Sequence, residues 1–152
     1  MQLTQGEIVH FIYALFLSPE GLVVDVLVGL DGDSLADLLA AGQPLPPPLQ
    51  ARAIVDTGCD VTAISAVVVQ VLGLKVAKSA TTQTAGGSVR VDAFEVSLTL
   101  PIAGGSLLVH NQLIVTELAV VIPNIDVLIG LDVLKEGLLV LDGPGKQFTL
   151  AF

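Results

Sequence analysis

Residues 53–62 read Ala53-Ile54-Val55-Asp56-Thr57-Gly58-Cys59-Asp60-Val61-Thr62, and the fold turns on how that stretch is understood. The β-branched pair Ile54-Val55 predicts a buried strand that runs directly into a carboxylate, and Gly58 lets the chain turn at once. Ending a buried strand on an acid costs desolvation energy, so the arrangement calls for a chemical purpose. Thr57 adds a hydroxyl able to bond backbone across an interface, and Gly58 leaves room for another backbone to come close. Asp-Thr-Gly is also an ordinary turn by itself, since all three residue types favour turns. Two further features weigh against that plain reading. Val61 and Ile64 continue the apolar pattern beyond the turn. Far downstream, Asp126-Val127-Leu128-Ile129-Gly130-Leu131-Asp132-Val133-Leu134 sets apolar residues before a glycine and then opens a short helix.

Outward from this stretch the chain reads as short strands divided by turn residues. Residues 7–17 and 21–30 predict apolar strands joined at Ser18-Pro19-Glu20-Gly21. Ser34 caps a short helix over 34–41 that Gly42 stops, and Pro44, Pro46, Pro47 and Pro48 form an exposed, stiff connector. From Leu49 the pattern gives a strand (49–56), a tight turn (57–60) and a strand (61–64). A helix over 66–72 follows, capped by Ser65 and ended by Gly73. Strands 75–84 and 89–100 make a long hairpin around Thr84-Ala85-Gly86-Gly87-Ser88. Strands at 107–116 and 125–129, a helical turn near 131–136, and strands at 138–142 and 147–152 complete the chain. Gly143-Pro144-Gly145 turns between the last two. With neither repeat nor linker, residues 1–152 read as one all-β domain with one or two short helices.

Composition narrows the classes. Of 152 residues, 53% are hydrophobic and only 14% charged, which excludes a disordered chain and leaves apolar surface for a subunit interface. Fifteen acids against six bases give a net charge of −9, with no Lys or Arg before Arg52, so nucleic acid is not the expected partner. The apolar run 8–17 is too short to span a bilayer and lacks the features of a signal peptide, which predicts a soluble, cytoplasmic protein. The single cysteine, Cys59, rules out an internal disulfide and fits a reducing compartment. His10 and His110 stand apart from any zinc-ligand spacing, no nucleophile elbow is present, and Gly86-Gly87 is too short for a phosphate loop. No metal or cofactor is expected.

Taken together, Asp56-Thr57-Gly58, the hairpin around Gly86-Gly87 and Leu128-Ile129-Gly130 resemble the retropepsin family of aspartic proteases, in that family's order and over residues 49–152. The resemblance implies a closed β-barrel of the acid-protease type with a flap hairpin. Residues 49–152 would be the catalytic core, and 1–48 would add N-terminal strands and the Pro-rich connector. It further implies that Asp56 is the catalytic carboxylate, facing Asp56 of a second subunit, and that Thr57 holds the two turns together across the two-fold axis. Asp60 would accept a hydrogen bond from substrate backbone, Gly86 and Gly87 would lie at the flap tip, and Gly130 would pass close to the turn. Asp132 would brace that turn through Thr62. Residues 148–152 resemble the C-terminal strand with which retroviral proteases dimerise.

The chemistry of such a pair follows from electrostatics. Two carboxylates a few ångströms apart share one proton; the ionised one activates water while the protonated one polarises the scissile carbonyl. One chain carries one such turn, so a homodimer acting on peptide or protein substrates is expected, with an acidic pH preference. Leu131 stands where retroviral enzymes have an arginine that fixes the acid matched by Asp60. The rival readings are a catalytically silent dimer of this fold that binds peptides or partners, and a structural β-domain.

Overall fold

The computed structural model describes residues 11–102 and 105–152. In chain order it contains β1 (Phe11–Phe16), β2 (Val23–Leu30), α1 (Gly32–Ala40), β3 (Leu49–Val55), β4 (Ala63–Ile64), α2 (Ala66–Leu72) and β5 (Lys78–Thr84). Then follow β6 (Gly87–Ile102), β7 (Gly105–Glu117), β8 (Val127–Ile129), α3 (Leu131–Leu134), β9 (Leu138–Asp142) and β10 (Gln147–Ala151). The predicted strand residues 7–10, with His10, lie outside the described residues.

Strands β2, β3, β8, β4, β7 and β6 pair in that order, and β2 pairs back onto β6, so six strands close into a barrel. Period-two alternation explains the closure: on β2, Val24, Val26 and Val28 are buried while Asp25 faces water. Val96, Leu98 and Leu100 on β6 and Leu113 and Val115 on β7 fill the same interior. Each such side chain contributes roughly 1.5–3 kcal/mol on burial. Among the described residues, strand β5 pairs only with β6 and prolongs it as a hairpin. A second sheet runs β1-β10-β9, with Phe148, Leu150 and Ala151 buried on its central strand.

Helix α2 forms where the sequence places it: Ser65 caps it through Val68 N, and Gly73 ends it in the left-handed region at φ 61°. Helix α1 differs. Its cap is Asp31, whose Oδ1 accepts from Asp33 N (3.1 Å) and Ser34 N (3.0 Å), so Ser34 sits inside the first turn. The carboxylate reaches two backbone donors where a hydroxyl reaches one. The strands expected at 61–64, 75–84 and 125–129 begin later, at Ala63, Lys78 and Val127, because the chain enters each through a turn or an extended approach. Residues 43–48 are exposed, as the proline run predicts. The resemblance implies a dimerising strand at 148–152; the greater part of this segment belongs to β10, which pairs with β1 on one side and β9 on the other within its own chain. Among the described residues, no helix is long and apolar enough to cross a membrane.

Candidate active site

Strand β3 delivers Asp56. Its last residues pair in parallel with β8, Ala53 opposite Val127, Ile54 opposite Leu128 and Val55 opposite Ile129. Strand β8 is also paired, antiparallel, with β4. The turn at 56–62 therefore leaves one neighbour of β8 and returns as the other. Asp56 N donates to Ile129 O (3.0 Å), the last rung of the ladder before the turn.

Inside the turn, Gly58 N donates to Asp56 Oδ1 at 2.8 Å and Cys59 N to Asp56 O at 3.3 Å. The first bond aims one carboxylate oxygen back at the turn. Asp56 is half-buried in the single chain, while Thr57, Gly58 and Asp60 are exposed. The sequence predicts an acid at the end of a buried strand; alternate residues of the strand, Ala51, Ala53 and Val55, are buried, Ile54 is half-buried, and the acid emerges at the rim.

The segment after β8 locks the turn from below. Leu131 N donates to Cys59 O (2.8 Å) and Asp132 N to Asp60 O (3.1 Å). Asp132 Oδ2 accepts from Thr62 N (2.9 Å), and its Oδ1 accepts from Thr62 Oγ1 (2.7 Å). Gly130 N donates to Thr62 Oγ1 (3.1 Å). Gly130 has to be glycine: a Cβ there would stand 2.8 Å from both Cys59 O and Val61 C, backbone atoms with nowhere to go. Leu128 is half-buried and Ile129 buried on β8.

Cys59 Sγ donates to Val61 O at 3.1 Å. Burial pushes this thiol up, the negative field of Asp56, Asp132 and Asp60 adds to it, and a backbone hydrogen bond at Val61 offsets part of the rise. Asp60 has no cation beside it among the described residues: Arg52 pairs with Glu20, and His110 Nε2 lies 3.2 Å from Glu136 Oε2.

Thr84 and Gly87 form the closing pair of the β5–β6 hairpin, leaving Ala85-Gly86 as its two-residue tip. Thr84 Oγ1 donates to Gly87 O (2.9 Å) and accepts from Gly86 N (3.2 Å). Thus Asp56, Gly58, Asp60, Thr62, Gly130 and Asp132 meet in one hydrogen-bonded unit with Thr57 exposed on its turn, and Gly86 and Gly87 lie apart at the hairpin. Sequence reasoning assigned no part to Asp126. Its N donates to Arg52 O (2.8 Å), its O accepts from Ser65 N (2.8 Å), and its Oδ2 accepts from Arg52 N at 3.4 Å. It thereby joins β3 and the start of α2 across 74 residues of chain, a contact with no local signal. Among the described residues, no group of three or more His, Cys, Asp and Glu is placed to hold a metal ion.

Comparison with known proteins agrees with this geometry. A search of curated proteins finds no match. Among solved structures, the fold is similar to the crystal structure of a retropepsin-like aspartic protease from Rickettsia conorii. The TM-score is 0.60 at 14% identity, covering 99% of this chain and 98% of the other. Residues 49–136 match the family described as "gag-polyprotein putative aspartyl protease", a span that holds the Asp56 turn, the hairpin and the Gly130 segment. The chain belongs to that family of retropepsin-like aspartic proteases.

Proposed function

We propose that the protein is an aspartic endopeptidase in which two copies of the chain, working as a homodimer, each supply Asp56 to one water molecule. The observation that carries this reading is the rim position of Asp56, held by Gly58 N beside an uncovered Thr57-Gly58. An acid anchored this firmly on an exposed turn has half of a shared-proton pair and needs the other half from a symmetry mate. Thr57 bonds across the two-fold axis and Asp60 receives substrate backbone. Gly86 and Gly87 lend freedom to a flap over the bound peptide. Thr62, Leu128, Ile129, Gly130 and Asp132 support the turn. Residues 1–152 act as one domain, with 49–152 as the catalytic core. The substrate is a peptide or protein.

The surface for pairing is the outer edge of β9. This strand has no partner on that side among the described residues, and Leu138, Val140 and Leu141 are exposed there. Edge strands that stay monomeric carry lysine, proline or a bulge, and β9 has none of these before Asp142. Strand β5, the edge of the larger sheet, is polar and opens on Lys78.

The test is to incubate the protein with a complex peptide mixture from acid to neutral pH, beside Asp56→Asn, and read new termini by mass spectrometry. Cuts strongest at acid pH and absent from the variant are expected; equal cutting by both would remove Asp56 from the mechanism. Val140→Lys should convert a dimer to monomer in sedimentation, and a dimer unchanged by it would move the interface elsewhere. A second reading draws on Asp60, whose carboxylate lacks the family's arginine because Leu131 stands in its place. It is a silent dimer that binds peptides, and it predicts dimers with bound peptide and no new termini.

A further inference from the structure

Helix α1 is amphipathic, yet none of its residues is buried. Leu35 and Leu38 are partly covered and Leu39 is 69% exposed. Beside it, α2 leaves Val71 61% exposed, and the segment leading to β5 leaves Val76 55% exposed. Between these elements lies a groove of about 540 Å³, whose aliphatic lining includes Leu30 of β2 and Leu38 of α1 with Leu72, Leu74 and Val76 from the end of α2 and beyond. None of these residues belongs to the Asp56 turn.

The polar lining has one dominant sign. Asp31 caps α1, Asp33 and Asp37 come from α1 itself and Glu95 from β6, against a single base, Lys75. Asp33 Oδ2 accepts from Gln112 Nε2 (2.7 Å), a neutral partner that orients the carboxylate and leaves its charge in place. An open aliphatic groove edged by acids favours an occupant that brings aliphatic side chains for the lining and cations for the edge. A second copy of this chain, at −9, brings the wrong charge.

We infer that the groove between α1 and the α2–β5 segment is a docking site for a leucine-bearing, lysine- or arginine-rich segment of a partner protein, seated as a helix in a groove. Binding there is separate from cleavage and does not require the protease reading.

The probe is a fluorescein-labelled peptide alternating leucine and lysine at helical spacing, with two controls in which glutamate replaces lysine or glutamine replaces leucine. Anisotropy at physiological salt should show binding of the leucine–lysine peptide and at least about tenfold weaker binding of each control. Methyl NMR shifts should centre on Leu38, Leu72 and Leu74. Reversing two edge charges, Asp37→Lys with Glu95→Lys, should weaken binding about tenfold, as expected when several surface charge contacts are each worth a fraction of a kcal/mol. Asp25→Lys with Asp92→Lys alters net charge equally on exposed sites elsewhere and should leave affinity within about twofold. Absence of binding, equal loss in the two double variants, equal binding of either control peptide, or shifts centred outside the groove would each overturn the inference.

Discussion

Asp132 receives three donors at once, from Thr62 N, Thr62 Oγ1 and Val133 N. Thr62 is 1% exposed, so truncating the acid strands buried donors that water cannot reach. Such groups cost about 1–3 kcal/mol each, and we expect Asp132→Ala to lower unfolding stability by about 3 kcal/mol, read as an earlier urea midpoint. A midpoint within error of wild type would show that the Thr62 contact is not structural. Cys59 carries a prediction of opposite sense. With its thiol held above the ordinary range, first by burial and then by the surrounding carboxylates, little thiolate exists near neutral pH. Iodoacetamide should therefore modify it several-fold more slowly than a free thiol at pH 8, with the rate still climbing at higher pH. A fast reaction at pH 7 would instead favour redox control of the neighbouring turn. The turn was legible because Asp56, Thr57 and Gly58 are neighbours in sequence, and Gly130 because it follows an apolar pair in the motif Leu128-Ile129-Gly130; the structure adds the reason, backbone 2.8 Å from where its Cβ would stand. Asp126 was not, since its bond to Arg52 exists only once distant strands meet.

At the level of elements, the two longer helices show where reading from sequence succeeds and where it slips. Helix α2 offers one candidate cap, Ser65, and one left-handed stop, Gly73, and both are used. Helix α1 offers Asp31, Asp33 and Ser34 in close succession, and only the geometry of the entering chain selects Asp31. Replacing Asp31 with Ala should cost about 1 kcal/mol of stability, measured by thermal melting. Burial pushes the Asp31 carboxyl upward, but the Ser34 hydroxyl and the N–H groups of Ser34 and Asp33 outweigh it, leaving the group below its ordinary value. Its stabilising effect is thus full above the unfolded carboxylate range, near pH 4, and fades as pH falls through the lowered value. The gap between wild type and Asp31→Ala should close in that acid window; a gap constant down to pH 2 would mean that the charge plays no part. The partners of β10 were beyond reach for another reason. The sequence shows an apolar terminal strand but not that β1 and β9 occupy both its edges.

For the molecule as a whole, closure of the barrel through β2 and β6 and the insertion of β8 between β3 and β4 bring distant parts of the chain into one sheet. The barrel was foreseeable from alternating strands and the resemblance, while the pairing order was not, because each rung joins residues chosen by tertiary packing. The contacts under the Asp56 turn link Thr62 to Asp132, 70 residues later. During synthesis, then, the turn leaves the ribosome well before the segment that props it, and no chain cut short of Asp132 holds the turn in its final hydrogen bonds. The propped turn is therefore a late product of translation, finished only when the Gly130 segment emerges and packs beneath it.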